Sequence, residues 1–199
     1  MAAGSGRRFG ERKQFEGLGG VRVLDWSLRT ARDLTDGVVV VVPGDVAGDD
    51  EPLADVVVAG GATRSASVRA GLAAVPSDAT AVLVHDAARP VPVPAVWRRV
   101  RATLDRGADA AIPVVEIADT LRRVVDGATV DRAGLVAVQT PQGFRVDVLR
   151  RAHDGCPEAT DDASLVEAAG AAVVMVHGDR ANIKTTDAAD RTIAERLCR

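Results

Sequence analysis

The residues best suited to chemistry lie in the first fifteen positions, which read MAAGSGRRFGERKQF. The glycines of this segment, including Gly4 and Gly6, let backbone N–H groups approach a ligand closely. Arg8 and Lys13 add fixed positive charges to the same segment. Because free amides and cations together suit the oxygens of a polyphosphate, the segment predicts a polyphosphate-binding loop.

Two well-known phosphate loops do not match this segment. A P-loop needs Gly-Lys followed by Ser or Thr, and the dinucleotide fingerprint needs a third glycine where Phe9 stands. Side-chain cations dominate here, which favours a nucleoside triphosphate that loses pyrophosphate. Only Lys13 and Lys184 are lysines among the 25 Lys and Arg residues, so a compact charge is favoured at both positions. The alternative is a flexible basic loop without a ligand.

The composition favours one domain with neither a nucleic-acid nor a membrane partner. The chain has 199 residues, 47% of them hydrophobic, and a net charge of −3. Aromatic residues make up 3%, too few for a base-stacking platform, and no apolar run approaches the ~20 residues of a membrane span. Cys156 and Cys198 have no metal-site spacing and predict free thiols in a reducing compartment. Without a signal peptide, the cytoplasm is the expected location.

The apolar pattern predicts an open α/β fold with a mostly parallel sheet and helices on both faces. Runs of valine over 38–42 and 56–58 are typical of strands buried on both faces. Further strands are expected over 81–84, 110–114 and 173–176, and a short strand and turn over 138–144. Helices are expected over 21–34, 65–75, 94–106 and 146–153, in a segment capped by 160–163, and from near 187.

Two segments depart from this alternation of strands and helices. A phosphate loop normally leaves the end of a strand, and only Met1 precedes this one, so the first strand is expected to be truncated. Asp126-Gly127 is a strong turn signal between β-rich segments, which predicts a hairpin arm over about 115–138. A small polar hairpin is marginal alone, so a second subunit is expected to pack on it.

Four segments are expected to place polar residues at one edge of the sheet. Asp86 follows the strand over 81–84, with Arg89 three residues later. Gly61 follows the strand over 56–58, and Lys184 lies beyond the strand over 173–176. Open α/β sheets bind ligands at the carboxyl ends of their strands, where Asp86 can hold Mg²⁺ on phosphate oxygens. The alternative role for Asp86 is a helix or turn cap, and His85 is interpreted as a core or surface residue.

These segments resemble a known family, the 2-C-methyl-D-erythritol 4-phosphate cytidylyltransferases of the non-mevalonate isoprenoid pathway. The combination of HDAARP with QTPQGF is specific, and is shared mainly with the sister ribitol-5-phosphate cytidylyltransferases. In chain order the matching segments are AAGSGRRFGERKQF, GGATRSASVRAGL, VLVHDAARPV, DTLRRV, TVDRAGLVAVQTPQGF, ATDDAS and NIKTT. The resemblance implies a Rossmann-like nucleotidyltransferase domain over 1–199, with the hairpin arm forming a homodimer.

The resemblance also implies a role for each matched residue. The implied catalytic residues are Arg8, Lys13, Lys184 and Arg132, the last supplied by the partner subunit. The implied CTP-binding residues are Ala2, Ala3, Gly4, Gly6, Gly61 and Ser67. The implied acceptor-binding residues are Arg89, Thr120, Arg132 and Lys184. Asp86 is the implied Mg²⁺ ligand, whereas alanines 62 and 181 stand where acidic residues are frequent in the family.

The implied reaction transfers a cytidylyl group from CTP to 2-C-methyl-D-erythritol 4-phosphate and releases pyrophosphate. Two alternatives stay open at this point. One is a cytidylyltransferase that acts on ribitol 5-phosphate or another polyol phosphate. The other is a non-catalytic nucleotide-binding relative that has lost its first strand.

Overall fold

The computed structural model describes residues 1–3 and 13–198. In these ranges the α-helices are α1 (Val23–Leu34), α2 (Arg64–Ala73), α3 (Pro94–Asp105), α4 (Val146–Ala152), α5 (Asp162–Ala168) and α6 (Ala188–Leu197). The strands are β1 (Gly17–Leu18), β2 (Val21–Arg22), β3 (Val39–Val42), β4 (Val56–Ala59), β5 (Ala81–Val84), β6 (Ala110–Glu116), β7 (Leu121–Arg122), β8 (Thr129–Val130), β9 (Val136–Val138), β10 (Gln142–Arg145) and β11 (Val173–His177). Short 3₁₀ helices span Lys13–Phe15 and Gly44–Val46. None of the helices in this part of the chain has the length and apolar character needed to cross a bilayer.

The predicted helices are confirmed, and their predicted and observed ends differ by no more than two residues. Their capping residues explain where they begin. Pro94 occupies the first turn of α3, where a backbone N–H would have no acceptor within the helix, so proline costs no hydrogen bond there. Asp161 caps α5 by accepting a hydrogen bond from the backbone N–H of Ser164 (3.1 Å). Asp187 caps α6 in the same way, and the side chain of Asp190 completes a capping box.

The main sheet is mixed, so the prediction of a mostly parallel sheet is wrong. Its strand order is β11-β6-β10-β5, and β9 also pairs with β6. Only β11 and β6 are parallel neighbours in this sheet, whereas β10 is antiparallel to both β5 and β6 and β9 is antiparallel to β6. The described chain between β6 and β10 contains no helix. A return without a crossover helix gives antiparallel neighbours, because parallel pairing needs a long crossover.

A second, two-stranded sheet pairs β3 and β4 in parallel. The prediction that 56–58 is buried on both faces is wrong, since Val56 is 39% exposed at the edge of this sheet. Met1 and Ala2 lie between the two sheets. The backbone nitrogen of Ala2 donates to the carbonyl of Val41 (2.7 Å), and the nitrogen of Met1 donates to the carbonyl of His85 (2.7 Å). The prediction of a truncated first strand stays a prediction.

Helices cover both faces of the sheets, as predicted. In β5, Val82 packs with α2, α4 and α5, whereas its neighbour Leu83 packs with α3. In β3, Val40 packs with α1, whereas Val41 lies against Gly71 of α2. Successive side chains of a strand point to opposite faces, so these pairs of neighbours require helices on each side.

Strands β7 and β8 pair antiparallel on either side of the turn at Asp126 and Gly127. The Asp126 carboxylate accepts a hydrogen bond from the backbone N–H of Ala128 (3.0 Å), and Gly127 has a φ of +71°. Val124 and Val125 are almost fully exposed at 101% and 85%. This hairpin therefore buries little apolar surface within its own chain, and its role in forming a dimer stays a prediction.

Candidate active site

The predicted CTP-binding residues Ala2, Ala3, Gly61 and Ser67 lie together at the carboxyl ends of β3 and β4. A Cβ atom on Gly60 would lie 2.3 Å from the Cβ of Ala3, so the two segments touch only because residue 60 is glycine. This contact brings the first residues of the chain against the turn that follows β4.

The turn after β4 is held by the first residues of α2. The hydroxyl of Ser67 accepts a hydrogen bond from the backbone N–H of Gly61 (3.1 Å) and donates to the carbonyl of Thr63 (2.8 Å). Ser67 is 4% exposed. A Cβ on Gly61 would lie 2.5 Å from the Cβ of Ala66, which requires glycine in this turn. The result is a fixed row of backbone polar groups beside Ala3.

The loop with the predicted phosphate-binding cations lies mostly outside the described residues. Gly4, Gly6 and Arg8 fall in that gap, and the description of Lys13 is limited to its backbone. The buried side chain of Gln14 donates a hydrogen bond to the carbonyl of Ala2 (2.8 Å). The backbone of Lys13 is therefore held next to the segment that contacts Gly60.

An ion pair joins two of the other predicted site residues. The Nζ atom of Lys184 lies 2.7 Å from Oδ2 of Asp86, the second residue after β5. Burial opposes ionisation of Asp86, but the nearby ammonium of Lys184 outweighs it and lowers the pKa of Asp86 to about 2, with a smaller contribution from Arg64. Asp86 is therefore a carboxylate at neutral pH, next to a cation that is 47% exposed.

The backbone at Asp86 is fixed by a hydrogen-bonded chain through His85 and Thr140. His85 Nε2 lies 3.1 Å from the carbonyl of Arg89, which can only accept, so Nε2 carries the proton. Burial lowers the pKa of His85 to about 4, and the neutral ring leaves Nδ1 as an acceptor. The Thr140 hydroxyl donates to Nδ1 (3.1 Å) and accepts from the N–H of Asp86 (3.1 Å).

Arg89 lies on the same side of the site as Lys184. Its Nη1 atom donates to the carbonyl of Asn182 (2.7 Å), and its Nη2 atom makes a longer contact with the carbonyl of Val138 (3.4 Å). Burial lowers the pKa of Arg89, although Asp86 opposes this shift. The guanidinium is therefore oriented by backbone carbonyls from β9 and from the loop after β11.

The predicted acceptor residues of the hairpin arm have a different environment. Arg132 is exposed and donates to the carbonyls of Ile117 (2.8 Å) and Ala118 of its own chain. Thr120 is exposed as well. In the described parts of the chain, no hydrogen bond or ion pair joins Arg132 or Thr120 to Asp86 or Lys184.

Sequence reasoning missed two buried residues of this region, Gln139 and Asn182. They are 5% and 0% exposed, and both hydrogen bond within the region that contains Arg89 and Lys184. Both lie in segments that carry the family resemblance, QTPQGF with its preceding residues and NIKTT. The available signal was the position of each amide inside one of these two motifs, which no periodic pattern explains.

Small-residue turns, a carboxylate and several cations therefore meet at the carboxyl edge of an α/β fold, which defines a nucleotide-binding protein of the open-sheet class. The model of the 2-C-methyl-D-erythritol 4-phosphate cytidylyltransferase family, IspD, matches residues 1–199. The chain belongs to this family.

Individual relatives agree with the family match. The enzyme of this name from Rhodococcus opacus is 45% identical over 98% of this chain and 92% of its own length. The bifunctional enzyme IspD/IspF of Rhizorhabdus wittichii is 46% identical, and the match covers 98% of this chain but 54% of that enzyme. The crystal structure of the Thermus thermophilus enzyme superposes with a TM-score of 0.84 at 39% identity, covering 93% of each chain.

The neutral, half-buried His85 predicts a specific pH dependence of stability. An unfolded histidine binds its proton near pH 6.5, whereas folding lowers the pKa of His85 to about 4. The unfolded chain therefore binds more protons between these values, and lowering the pH destabilises the folded chain. Between about pH 7.5 and about pH 4.5, this one group should lower the free energy of unfolding by about 2–3 kcal/mol.

Urea unfolding of the wild-type chain and of His85→Gln at both pH values measures this contribution. Carboxylates titrate in both proteins, so the difference between the two isolates His85. His177→Gln is the matched control, because the side chain of His177 is exposed. An identical pH dependence for His85→Gln and wild type would contradict the assignment of a neutral ring with a lowered pKa.

Proposed function

We propose that this chain transfers the cytidylyl group of CTP to 2-C-methyl-D-erythritol 4-phosphate and releases pyrophosphate. The observation that carries the proposal is the full-length match to the IspD family, together with the way residues 1–3 join the Gly60-Gly61 turn of one sheet to the Asp86–Lys184 ion pair of the other. Relatives that carry this activity in their names align over nearly the whole chain.

The reaction needs positioned charges more than a protein nucleophile. An oxygen of the acceptor phosphate attacks the α-phosphorus of CTP, a new P–O bond forms, and the bond to the pyrophosphate breaks. Two anions must approach each other, and negative charge accumulates on the α-phosphate oxygens. Preorganised cations stabilise that charge, and we assign this role to Arg8, Lys13 and Lys184.

The nucleoside would be read by backbone and small polar groups. We assign this role to the segment that begins with Ala2 and Ala3 and continues through Gly4 and Gly6, and to Gly61 and Ser67. The close contact between Ala3 and Gly60 and the hydrogen bond from Gly61 to Ser67 support it, because both fix backbone groups in a small space. The acceptor phosphate would bind Arg89 and Lys184, with Thr120 and Arg132 contributed by a hairpin arm.

The donor set at Asp86 fits Mg²⁺ bound together with substrate. The described residues contain no cluster of three or more His, Cys, Asp or Glu side chains that would hold a metal alone. Mg²⁺ commonly binds one or two carboxylates and completes its shell with phosphate oxygens and water. Asp86, ionised and close to Met1, would hold the ion, which when bound would neutralise phosphate charge. Lys184 occupies Oδ2 of Asp86 in the structure and would turn toward phosphate.

An assay with purified protein, CTP and Mg²⁺ tests the proposed reaction. Pyrophosphate release should be fast with methylerythritol phosphate and slower by at least about tenfold in kcat/KM with ribitol 5-phosphate. Faster turnover of ribitol phosphate would favour the alternative acceptor. CTP binding without pyrophosphate release for any acceptor would support the non-catalytic alternative. A cytoplasmic location stays a prediction.

Lys13→Ala should lower turnover by roughly two to three orders of magnitude, the usual effect of removing one preorganised charge-stabilising group. Lys13→Arg should recover only part of the lost rate, because a planar guanidinium replaces a compact ammonium. Single-turnover rates at saturating CTP measure both effects. Near-wild-type rates for either variant would remove Lys13 from the mechanism.

We further propose that two chains form a dimer through the hairpin arm. The exposed Val124 and Val125 and the small buried area of the hairpin support this arrangement. The hydrogen bonds of Arg132 to the carbonyls of 117 and 118 stabilise the base of the arm in one chain. In the proposed dimer, Arg132 would serve the acceptor site of the partner subunit.

Subunit exchange between two inactive variants tests this shared site. In a mixed dimer of Lys13→Ala and Arg132→Ala chains, one site carries both substitutions and the other has both wild-type residues. Equal mixing gives roughly half mixed dimers, so activity should recover to about a quarter of wild type. Mass spectrometry confirms the exchange. If activity fails to recover after confirmed exchange, Arg132 acts within its own chain.

A further inference from the structure

The contact between Lys184 and Asp86 joins loops that follow the two edge strands of the main sheet. Asp86 follows β5, whereas Lys184 lies in the loop that follows β11, and β10 and β6 stand between these two strands. Three strand spacings are about 14 Å. The loop after β11 therefore crosses the carboxyl edge of the sheet, and something must fix its path.

Two buried amide side chains fix that path, and we call them the amide clamp: Gln139 and Asn182. The Nδ2 group of Asn182 donates to Oε1 of Gln139 (3.3 Å) and to the carbonyl of Thr140 (2.9 Å). In return, Nε2 of Gln139 reaches the carbonyl of Asn182 (3.3 Å). Asn182 is 0% exposed, so these bonds form away from water, where an unpaired amide would be costly.

The clamp is also anchored where the loop leaves β11. Gln139 donates to the carbonyl of Asp179 (2.8 Å) and accepts from the N–H of Asp179 (3.1 Å). Gly178 makes room for this contact, because a Cβ at that position would lie 2.5 Å from Oε1 of Gln139. One glutamine side chain therefore bonds both ends of the segment that carries Asn182.

The groups held by the clamp are those we assign to the acceptor phosphate. The carbonyl of Asn182 receives Nη1 of Arg89 at 2.7 Å, and Lys184 lies two residues further along the chain. The next residue, Thr185, donates from both its N–H (2.8 Å) and its hydroxyl (2.9 Å) to the carbonyl of Ala88. The loop is thus bonded on each side of Lys184, with the clamp before it.

We propose that Gln139 and Asn182 are positioning residues that set the spacing of Arg89 and Lys184 for the acceptor phosphate. This inference rests on the proposed function for the identity of the acceptor. The hydrogen bonds of both side chains go to other protein groups, so we assign neither a contact with the reacting atoms. Both act through the backbone carbonyl of Asn182, which orients Arg89, and through the path of the loop that delivers Lys184.

Asn182→Asp tests the clamp with almost no change in shape. The Asn182 amide faces two acceptors, the Gln139 oxygen and the Thr140 carbonyl, so a carboxylate would replace two attractions by two repulsions. KM for methylerythritol phosphate should rise by about tenfold or more, and kcat should fall, because small displacements of positioning groups have large effects. KM for CTP should stay within about threefold, because the clamp bonds to none of the groups assigned to the nucleoside of CTP. Lys184 is also assigned to the charge that accumulates on the α-phosphate in the transition state, so its displacement lowers kcat.

Gly178→Ala disturbs the clamp without changing any polar group. The added methyl would lie 2.5 Å from Oε1 of Gln139 and 3.0 Å from both the Val114 carbonyl and the Val115 side chain, so the Gln139 side chain must move most. The same selective rise in KM for the acceptor should follow. Gly48→Ala is the matched control, since a Cβ there has no neighbour within 4 Å. Val100→Ala controls for a general loss of stability, because Val100 is fully buried in a different part of the core.

The measurements distinguish a failure of the amide-clamp proposal from a failure of the proposed function. A rise in acceptor KM for both clamp variants, absent in Val100→Ala, supports the proposal. Equal changes in the KM values of CTP and acceptor, or none, would overturn it. If wild type binds methylerythritol phosphate in a calorimeter but does not turn it over, the proposed function fails. The clamp is then judged by whether Asn182→Asp weakens that binding by about tenfold.

Discussion

The ion pair between Lys184 and Asp86 is the constraint on which the arrangement of this site depends. It joins residues 98 positions apart, at opposite ends of a four-strand path through the main sheet. Such a contact requires the four strands to lie side by side in the order β5-β10-β6-β11. The ion pair can therefore exist only in the assembled sheet. It places a cation and a carboxylate where phosphate oxygens would bind.

Neutral hydrogen bonds hold the backbone on both sides of this ion pair. His85 and Thr140 fix the chain at Asp86, and Gln139 and Asn182 fix the loop that carries Lys184. Charged side chains are thus held by uncharged buried groups, which keeps the cations oriented before substrate arrives. Preorganisation of this kind is what makes fixed charges effective in transfer reactions, because little reorganisation is needed as charge develops.

Much of the fold followed from local patterns, and the errors have a common cause. The valine run of β3, the caps of α5 and α6 and the turn at Asp126-Gly127 are local features, and the structure has them where the sequence predicted them. The predictions of a mostly parallel sheet and of a fully buried β4 were wrong. The direction of β10 and the exposure of β4 both depend on which strand lies beside each of them. Neighbours in a sheet are chosen by the whole chain, and a run of valines does not encode them.

The sequence by itself determined the α/β class, the family, and the residue types at the sheet edge, because glycines, charges and strand ends are readable from order alone. Only the tertiary structure decided that Lys184 reaches Asp86, that the His85 ring bonds to both Thr140 and Arg89, and that Asn182 is fully enclosed. These contacts join segments that lie 42 to 98 residues apart, with the exception of His85 and Arg89. Their formation depends on packing of the sheet, so the chemical partners of a side chain become fixed only when the chain has folded.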